Sequence, residues 1–320
     1  MNIYQEFLTN QEEFTLLAKN EEWNACKNDF SYFAANYLKI VHPKKGLLPF
    51  ELYQFQKDYI KFCEDNRFVI GVKFRNGGFT TISILHALWK CMFFEDVRYY
   101  FISKTIGEAS HLGKLLDLAL EYLPDWLKPE LDKNTKTAKI FRNRKIYLRT
   151  KPPASNVIYF GNAENTRGKD VNHIVIDEAA FITNLEDKWR AIWPVVAKTG
   201  RVIALSTRNG VCNWFEDTYN DAENGRNDFK VYHSDYLDHP LYHDPEYVAE
   251  LRKTLGEEGW EQEILGNVIG KTPEYLTFDF SKLSKNELID KAALILNKKK
   301  ISDEDKCALH YLILCVRQLY

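Results

Sequence analysis

Long apolar runs are missing from this 320-residue chain, and none reaches the roughly 18 residues that a membrane-spanning helix needs. The amino terminus, "MNIYQEFLTNQEEF", has no basic segment leading into an apolar one, so no secretory signal is indicated and a cytosolic protein is expected. Cysteine is sparse: the six residues Cys26, Cys63, Cys91, Cys212, Cys307 and Cys315 include no C-x-x-C pair. They lie among apolar neighbours, which points to buried thiols in a reducing compartment and away from a disulfide frame or a cysteine metal site. Charge of either sign is also not in surplus, with 43 Lys and Arg against 45 Asp and Glu. Any contact with nucleic acid must therefore come from a local patch or through a partner. There is no internal repeat and no low-complexity tract; the short basic run "NKKK" at 297–300 reads as a solvated turn. What is present is ample for a packed core, since 45% of the residues are hydrophobic and 14% aromatic.

Residues 11–40 carry Phe14, Leu17, Trp23, Phe30, Phe33 and Tyr37 at helical spacing, ending at the Pro/Gly punctuation of "HPKKGLLPF". "ELYQFQKDYIKFCEDN" reads as a helix, and "RFVIGVKF" as a buried strand that delivers the chain into "RNGG". From Thr80 the pattern is helical again, through Ile82, Leu85, Leu88, Trp89 and Met92. "VRYYFISK" is a second strand before the helix "GEASHLGKLLDLALEYL"; "KIYLRT", "NVIYFGN", "HIVIDEAAF" and "RVIALSTRNG" read as further strands. Strands alternating with helices predict an α/β fold whose mostly parallel sheet binds ligands at the strand carboxyl ends. Beyond about residue 235 come turn residues and one amphipathic helix, and 273–320 reads as helices, the last capped by Ser302 and the acids after it. The expected divisions are a helical region over 1–47, the core over 48–235, a helical extension over 236–272 and a helical tail over 273–320.

The stretch "VKFRNGGFTTIS", residues 72–83, has the context of a phosphate loop but not its usual lysine. When the template G-x-x-x-x-G-K-[ST] is aligned on Thr80, its second glycine falls on Gly78, its lysine on Phe79 and its first glycine on Lys73. Backbone N–H groups at Gly77 and Gly78 and the hydroxyl of Thr80 can still serve the phosphates and Mg²⁺. A lysine need only place an ammonium near the phosphates, and Lys73 can reach in from the opening end of the loop, with Arg75 as a second cation. The bland alternative is a glycine turn with Lys73 and Arg75 solvated. In "HIVIDEAAF" an apolar strand ends in Asp177 and Glu178, and adjacent carboxylates there are costly unless they work. Asp177 is suited to holding Mg²⁺ and Glu178 to deprotonating an attacking water; an acidic helix cap is the plain alternative. Ser206 and Thr207, with Arg208, end a third strand, either as sensors of a γ-phosphate or as a turn cap.

In this order and spacing, "LPFELYQFQKDYI", "KFRNGGFTT", "TRGKDVNHIVIDEAAF", "ALSTRNG" and "GWEQEILGN" resemble the ATPase half of the large terminase subunit of tailed bacteriophages. The resemblance implies a P-loop NTPase fold of the RecA/ASCE type, with a displaced loop lysine at Lys73. It implies adenine contact by Gln56, with Gln54 as a near alternative, and a nucleotide site lined by Lys73, Asn76, Gly77, Gly78, Phe79, Thr80 and Thr81. Arg75 is implied to stabilise charge on the γ-phosphate. Asp177 and Glu178 fall on the metal-binding aspartate and catalytic glutamate, and Ser206 and Thr207 on the coupling motif; Arg167 lies in a segment of no assigned role. ATP and Mg²⁺ are the implied ligands. The implied partners are double-stranded DNA, a portal protein, a small terminase subunit and further copies in a ring on the portal. The implied place of work is the host cytoplasm, transiently at the procapsid portal vertex and not in the mature virion.

A large terminase subunit continues into an RNase H-like nuclease with several metal-binding aspartates, whereas here about fifty helix-patterned residues follow and Asp279 stands alone. Nuclease activity is therefore not expected of this chain: either a separately encoded nuclease supplies the cutting, or the chain is part of a longer protein. A catalytically silent or structural remnant is the alternative reading. A superfamily 2 helicase fragment is a weaker one, because no second RecA-like domain fits.

Overall fold

The computed structural model describes residues 17–42, 46–142, 156–166, 168–211, 213–268 and 284–297, together with 305, 308, 309 and 312. Helix α1, described over 17–28, and α2 (Phe30–Tyr37) precede a two-stranded antiparallel hairpin of β1 (Lys39–His42) and β2 (Gly46–Pro49). Helix α3 (Gln54–Asp65) leads into β3 (Phe68–Val72), and α4 (Phe79–Phe93) follows it. Next come β4 (Arg98–Ile102), α5 (Ile106–Glu121), the hairpin β5 (Leu131–Thr135) and β6 (Ala138–Phe141), then β7 (Val157–Gly161) and β8 (His173–Asp177). Helix α6 (Leu185–Val196), β9 (Arg201–Ser206), α7 (Trp214–Glu223), β10 (Lys230–His233), α8 (Pro245–Glu263) and α9 (Lys285–Leu296) complete the order.

The main sheet has eight strands in the order β10-β3-β9-β8-β4-β7-β6-β5. All pairings from β10 through β7 are parallel, and β6 and β5 add an antiparallel edge. Period-2 alternation sorts each central strand between two cores. Val69, Tyr99, Phe101, Val175 and Leu205 pack with α2–α5, whereas Phe68, Ile70, Val72, Ile174, Ile176, Val202 and Ala204 pack with α6 and α7. Strands covered on both faces read as continuous apolar runs, which is why β3 is buried at all five positions. The register sets Val72 against Ser206, and Asp177 against Leu205, so the carboxyl ends of β3, β9 and β8 are level.

The stretches "RFVIGVKF", "VRYYFISK", "NVIYFGN", "HIVIDEAAF" and "RVIALSTRNG" contain β3, β4, β7, β8 and β9 of the sheet, and the mostly parallel α/β class holds. Three features differ from the expectations. The punctuation "HPKKGLLPF" contributes to the β1–β2 hairpin, inside a region expected to be helical. The β5–β6 hairpin and β10 were not expected: β5 is "LDKNT", exposed at four of five positions, and carries no apolar alternation to mark it. The single helix expected after residue 235 is broken at Gly256, where φ is 68° and ψ 174°. The predicted strand "KIYLRT", Arg167, Asp279 and the Ser302 cap lie outside the described residues. Cys26, Cys63 and Cys91 are buried free thiols, as expected; the other three cysteines also lie outside. No helix among the described residues is long and apolar enough to cross a membrane.

Two histidines lie at the amino edge of this sheet. Burial, with Lys90 nearby, lowers His86 from 6.5 to about 3. Burial, with Arg201 nearby, lowers His173 to about 4. Both fold in the neutral form, so their contribution to stability is complete above pH 6.5 and is lost as the pH falls toward 4. Between those limits the unfolded chain binds up to two more protons, a slope of roughly 3 kcal/mol per pH unit. Denaturant titrations from neutral to mildly acid pH are expected to show this slope, and His86→Gln to halve it.

Candidate active site

The carboxyl end of β3 begins the site. The backbone N–H of Lys73 donates to the carbonyl of Ser206 at 3.0 Å, carrying the β3–β9 ladder one residue past the strand. The next residue, Phe74, is buried against Phe55, Phe79 and Tyr242 with ring centroids 5.6 Å away in each case. The loop then turns through two left-handed residues, Asn76 (φ 64°) and Gly78 (φ 77°). At Gly77 a Cβ would stand 2.5 Å from the Phe79 ring and 2.9 Å from that of Phe74, so only glycine fits. Helix α4 starts at Phe79 with Gly78 as its cap residue and no side-chain cap. Such an uncapped start presents N–H groups to an anion.

Phe79, where the template has its lysine, is 2% exposed and lies edge-on to Tyr59 with centroids 5.2 Å apart. Its side chain anchors the loop in the core and can contribute only backbone to a ligand. Gln56 is buried beneath the loop, its Nε2 donating to the Gly77 carbonyl at 3.0 Å and its Oε1 accepting from the Tyr53 N–H at 3.2 Å. The amide thus ties the loop backbone to the start of α3. Gln54 is exposed and bonds Asp58.

The charge centre lies across the strand ends. Strand β9 separates β3 from β8, so side chains leaving their ends must bridge two inter-strand spacings, about 10 Å. Lys73 does this with its four-carbon stem: its Nζ is 2.9 Å from Asp177 Oδ1 and 3.0 Å from Glu178 Oε1. Burial alone pushes the ammonium's pKa down, but the carboxylates of Asp177 and Glu178 outweigh it, and the net direction is up. Lys73 therefore stays charged. From the first turn of α4 the Thr80 hydroxyl donates to Asp177, at 3.0 and 3.1 Å from its two oxygens.

Glu178 adopts a left-handed backbone with φ 52°, uncommon and strained for a residue with a Cβ. It heads a short 3₁₀ turn, Ala179–Phe181, without capping it through its side chain, so the plain reading of an acidic cap does not apply. That bend separates the two acids. Asp177 points at Thr80, while Glu178 stays 44% exposed beside Lys73. Ser206, fully buried at the end of β9, accepts from the Ala180 N–H at 3.2 Å and donates to Glu178 Oε2 at 3.5 Å.

Lys73, Thr80, Asp177, Glu178 and Ser206 thus converge, drawn from three strand ends and a helix start. Thr81 is half-buried in the first turn of α4, and Thr207 is buried just past β9. Arg208 turns to α7, where it pairs with Glu216 at 2.7 Å and lies over Tyr219. Arg75 is not part of the charge centre, since its guanidinium is held by Glu263 of α8 at 3.0 Å. The sequence signal for Glu263 is the segment "GWEQEILGN", whose place in space the sequence does not reveal, and Tyr242 lies outside it.

A domain-family model described as "Terminase large subunit, T4likevirus-type, N-terminal" matches residues 75–284, which include Gly77–Thr80, Asp177 and Glu178. Among solved structures, the chain is similar to the large terminase ATPase domain of Thermus phage P74-26, at 16% identity and a TM-score of 0.55, over 69% of this chain and 95% of that one. It is also similar to the HK97 bacteriophage large terminase, at 14% identity and a TM-score of 0.60, over 83% of this chain and 58% of that one. A third match is the large terminase of a thermophilic bacteriophage in complex with ADP, at 14% identity and a TM-score of 0.53, over 72% and 57%. At these identities the structures show the P-loop NTPase fold, and the chain spans somewhat over half the length of the latter two.

The packing around Gly77 can be tested directly. Gly77→Ala is expected to cost about 1–3 kcal/mol through displacement of the Phe74 and Phe79 rings, read as a lowered Tm. Gly107→Ala, where the added methyl comes no nearer than 3.7 Å to Thr105, is expected to leave Tm within a degree or two.

Proposed function

Because the chain belongs to the large terminase subunit family, through its N-terminal, T4likevirus-type domain, we propose that it is an ATP-hydrolysing motor subunit that moves double-stranded viral DNA into a procapsid. The observation that carries the reading is the convergence of Lys73, Thr80, Asp177 and Glu178 on one sheet edge beside an uncapped helix start. A solved relative in complex with ADP supports an adenine nucleotide as the ligand.

The residues present suit Mg²⁺ and a triphosphate. Two carboxylates share one ammonium, leaving a local surplus of negative charge that a divalent cation offsets. The Thr80 hydroxyl and the Asp177 carboxylate are hard oxygen donors and would hold the ion. When bound, Mg²⁺ supplies neutralisation of phosphate charge. Backbone N–H groups from Gly77 to Thr80 bind phosphate oxygens, and the Lys73 ammonium adds positive charge where the β- and γ-phosphates meet. Glu178, the more exposed acid, accepts a proton from a water that attacks the γ-phosphorus; the bond to the β-bridging oxygen breaks, giving ADP and phosphate. Ser206 holds Glu178 in place for that transfer.

As such a motor, the chain works as a ring of copies on the portal protein at the procapsid vertex, in the host cytoplasm and outside the mature virion. A small terminase subunit assists DNA delivery. ATP turnover by the purified chain, with Mg²⁺ and with or without duplex DNA, tests this reading. Turnover is expected to rise with DNA. Glu178→Gln is expected to keep nucleotide binding but lose about 10²–10⁴-fold in kcat, and Lys73→Ala to lose tight binding. Unchanged turnover in both variants would remove the site.

A further inference from the structure

Arg75 occupies an unusual position for a loop cation, because the 236–266 segment engages every polar group for which a bond is seen. Its N–H donates to the Glu263 carbonyl at 2.8 Å, its carbonyl accepts from the Tyr242 hydroxyl at 2.6 Å, and its Nε meets Glu263 Oε2 at 3.0 Å. The first two bonds tie the loop backbone to a well-anchored body. Tyr242 is buried edge-on to Phe74, and Trp260, one turn before Glu263, is buried against Tyr236. The third bond is of another kind. The Arg75 side chain is 54% exposed, and an ion pair with so wet a partner is weak, whereas the backbone bonds persist without it.

We propose that Glu263 is a positioning residue that holds the Arg75 guanidinium away from the reacting phosphate, so that α8 sets how often Arg75 is available for hydrolysis. The inference rests on the ATPase reading above. The forked guanidinium has two competing anions, the Glu263 carboxylate and the γ-phosphate, and a polyphosphate accepts it at least as well. The backbone bonds at Arg75 do not use its guanidinium, so a change of the guanidinium's partner leaves the clamp on the loop in place. Movement of α8, the one element that bonds both the backbone and the guanidinium of Arg75, would shift the balance and so join nucleotide chemistry to the extension.

The test is steady-state ATP turnover by the full chain without DNA, for wild type, Glu263→Gln, Arg75→Ala and the double variant, with Tm recorded for each. Glu263→Gln is expected to raise kcat about two- to fivefold, the range a half-exposed ion pair can hold back, with KM for ATP and Tm close to wild type. The gain is expected to vanish in the double variant, which should match Arg75→Ala. It should also shrink at high salt, where the wild-type pair is screened. A fall in kcat together with Tm would make Glu263 a structural anchor only. A gain that persists without Arg75 would show that Glu263 does not act through it. Either result, or an unchanged kcat while turnover still depends on Glu178, overturns this inference and leaves the ATPase reading standing. Turnover that is absent, or insensitive to Glu178→Gln, removes both.

Discussion

One ammonium shared between two carboxylates organises this molecule. Lys73 leaves the end of β3 and reaches Asp177 and Glu178 at the end of β8, across the intervening strand β9. A charge this deep is tolerable only with partners at hydrogen-bond distance, so the strand order, the level register of the strand ends and the first turn of α4 all constrain one another. A shift of β8 by one residue would turn its apolar set onto the opposite faces and carry Asp177 away from Thr80. The left-handed bend at Glu178 belongs to the same constraint, because it lets neighbouring acids take different surroundings.

The displaced lysine divides the work of a phosphate loop differently. In the usual arrangement one residue at the start of the helix supplies the cation. Here that place belongs to Phe79, which fastens the loop to the aromatic core with Phe55, Phe74 and Tyr59, while the Lys73 ammonium stands at the strand end beside Asp177 and Glu178. Gln56 completes the support from below by bonding the Gly77 carbonyl. The loop is therefore shaped mainly by packing on its inner side, which leaves its N–H face for a ligand. Clamping of Arg75 by α8 and Tyr242 extends that support to the outer side.

Much of the core was legible because its strands are buried on both faces and its helices on one. Continuous apolar runs such as "FVIGV" and "HIVID" then mark their own positions, and polar residues at their ends mark the ligand edge. The peripheral strands were not legible for the converse reason. β5 and β10 are short and partly exposed, and exist because a neighbour offers an edge to pair with. The kink of α8 at Gly256 is not legible either, since a single glycine is tolerated within a helical pattern and only its conformation reveals the break.

What the sequence by itself determined is the chemical inventory and its order: a strand, a glycine turn with lysine and threonine, and an acidic pair at the end of a later strand. Those features are local, and burial and backbone preference write them into neighbouring residues. Tertiary structure alone decided which groups meet. It set Lys73 on the two acids, sent Phe79 into the core, turned Gln56 to the loop backbone and gave Arg75 to Glu263, 188 residues away. Long-range pairings of this kind depend on strand order and register, which many residues specify jointly and no single segment records.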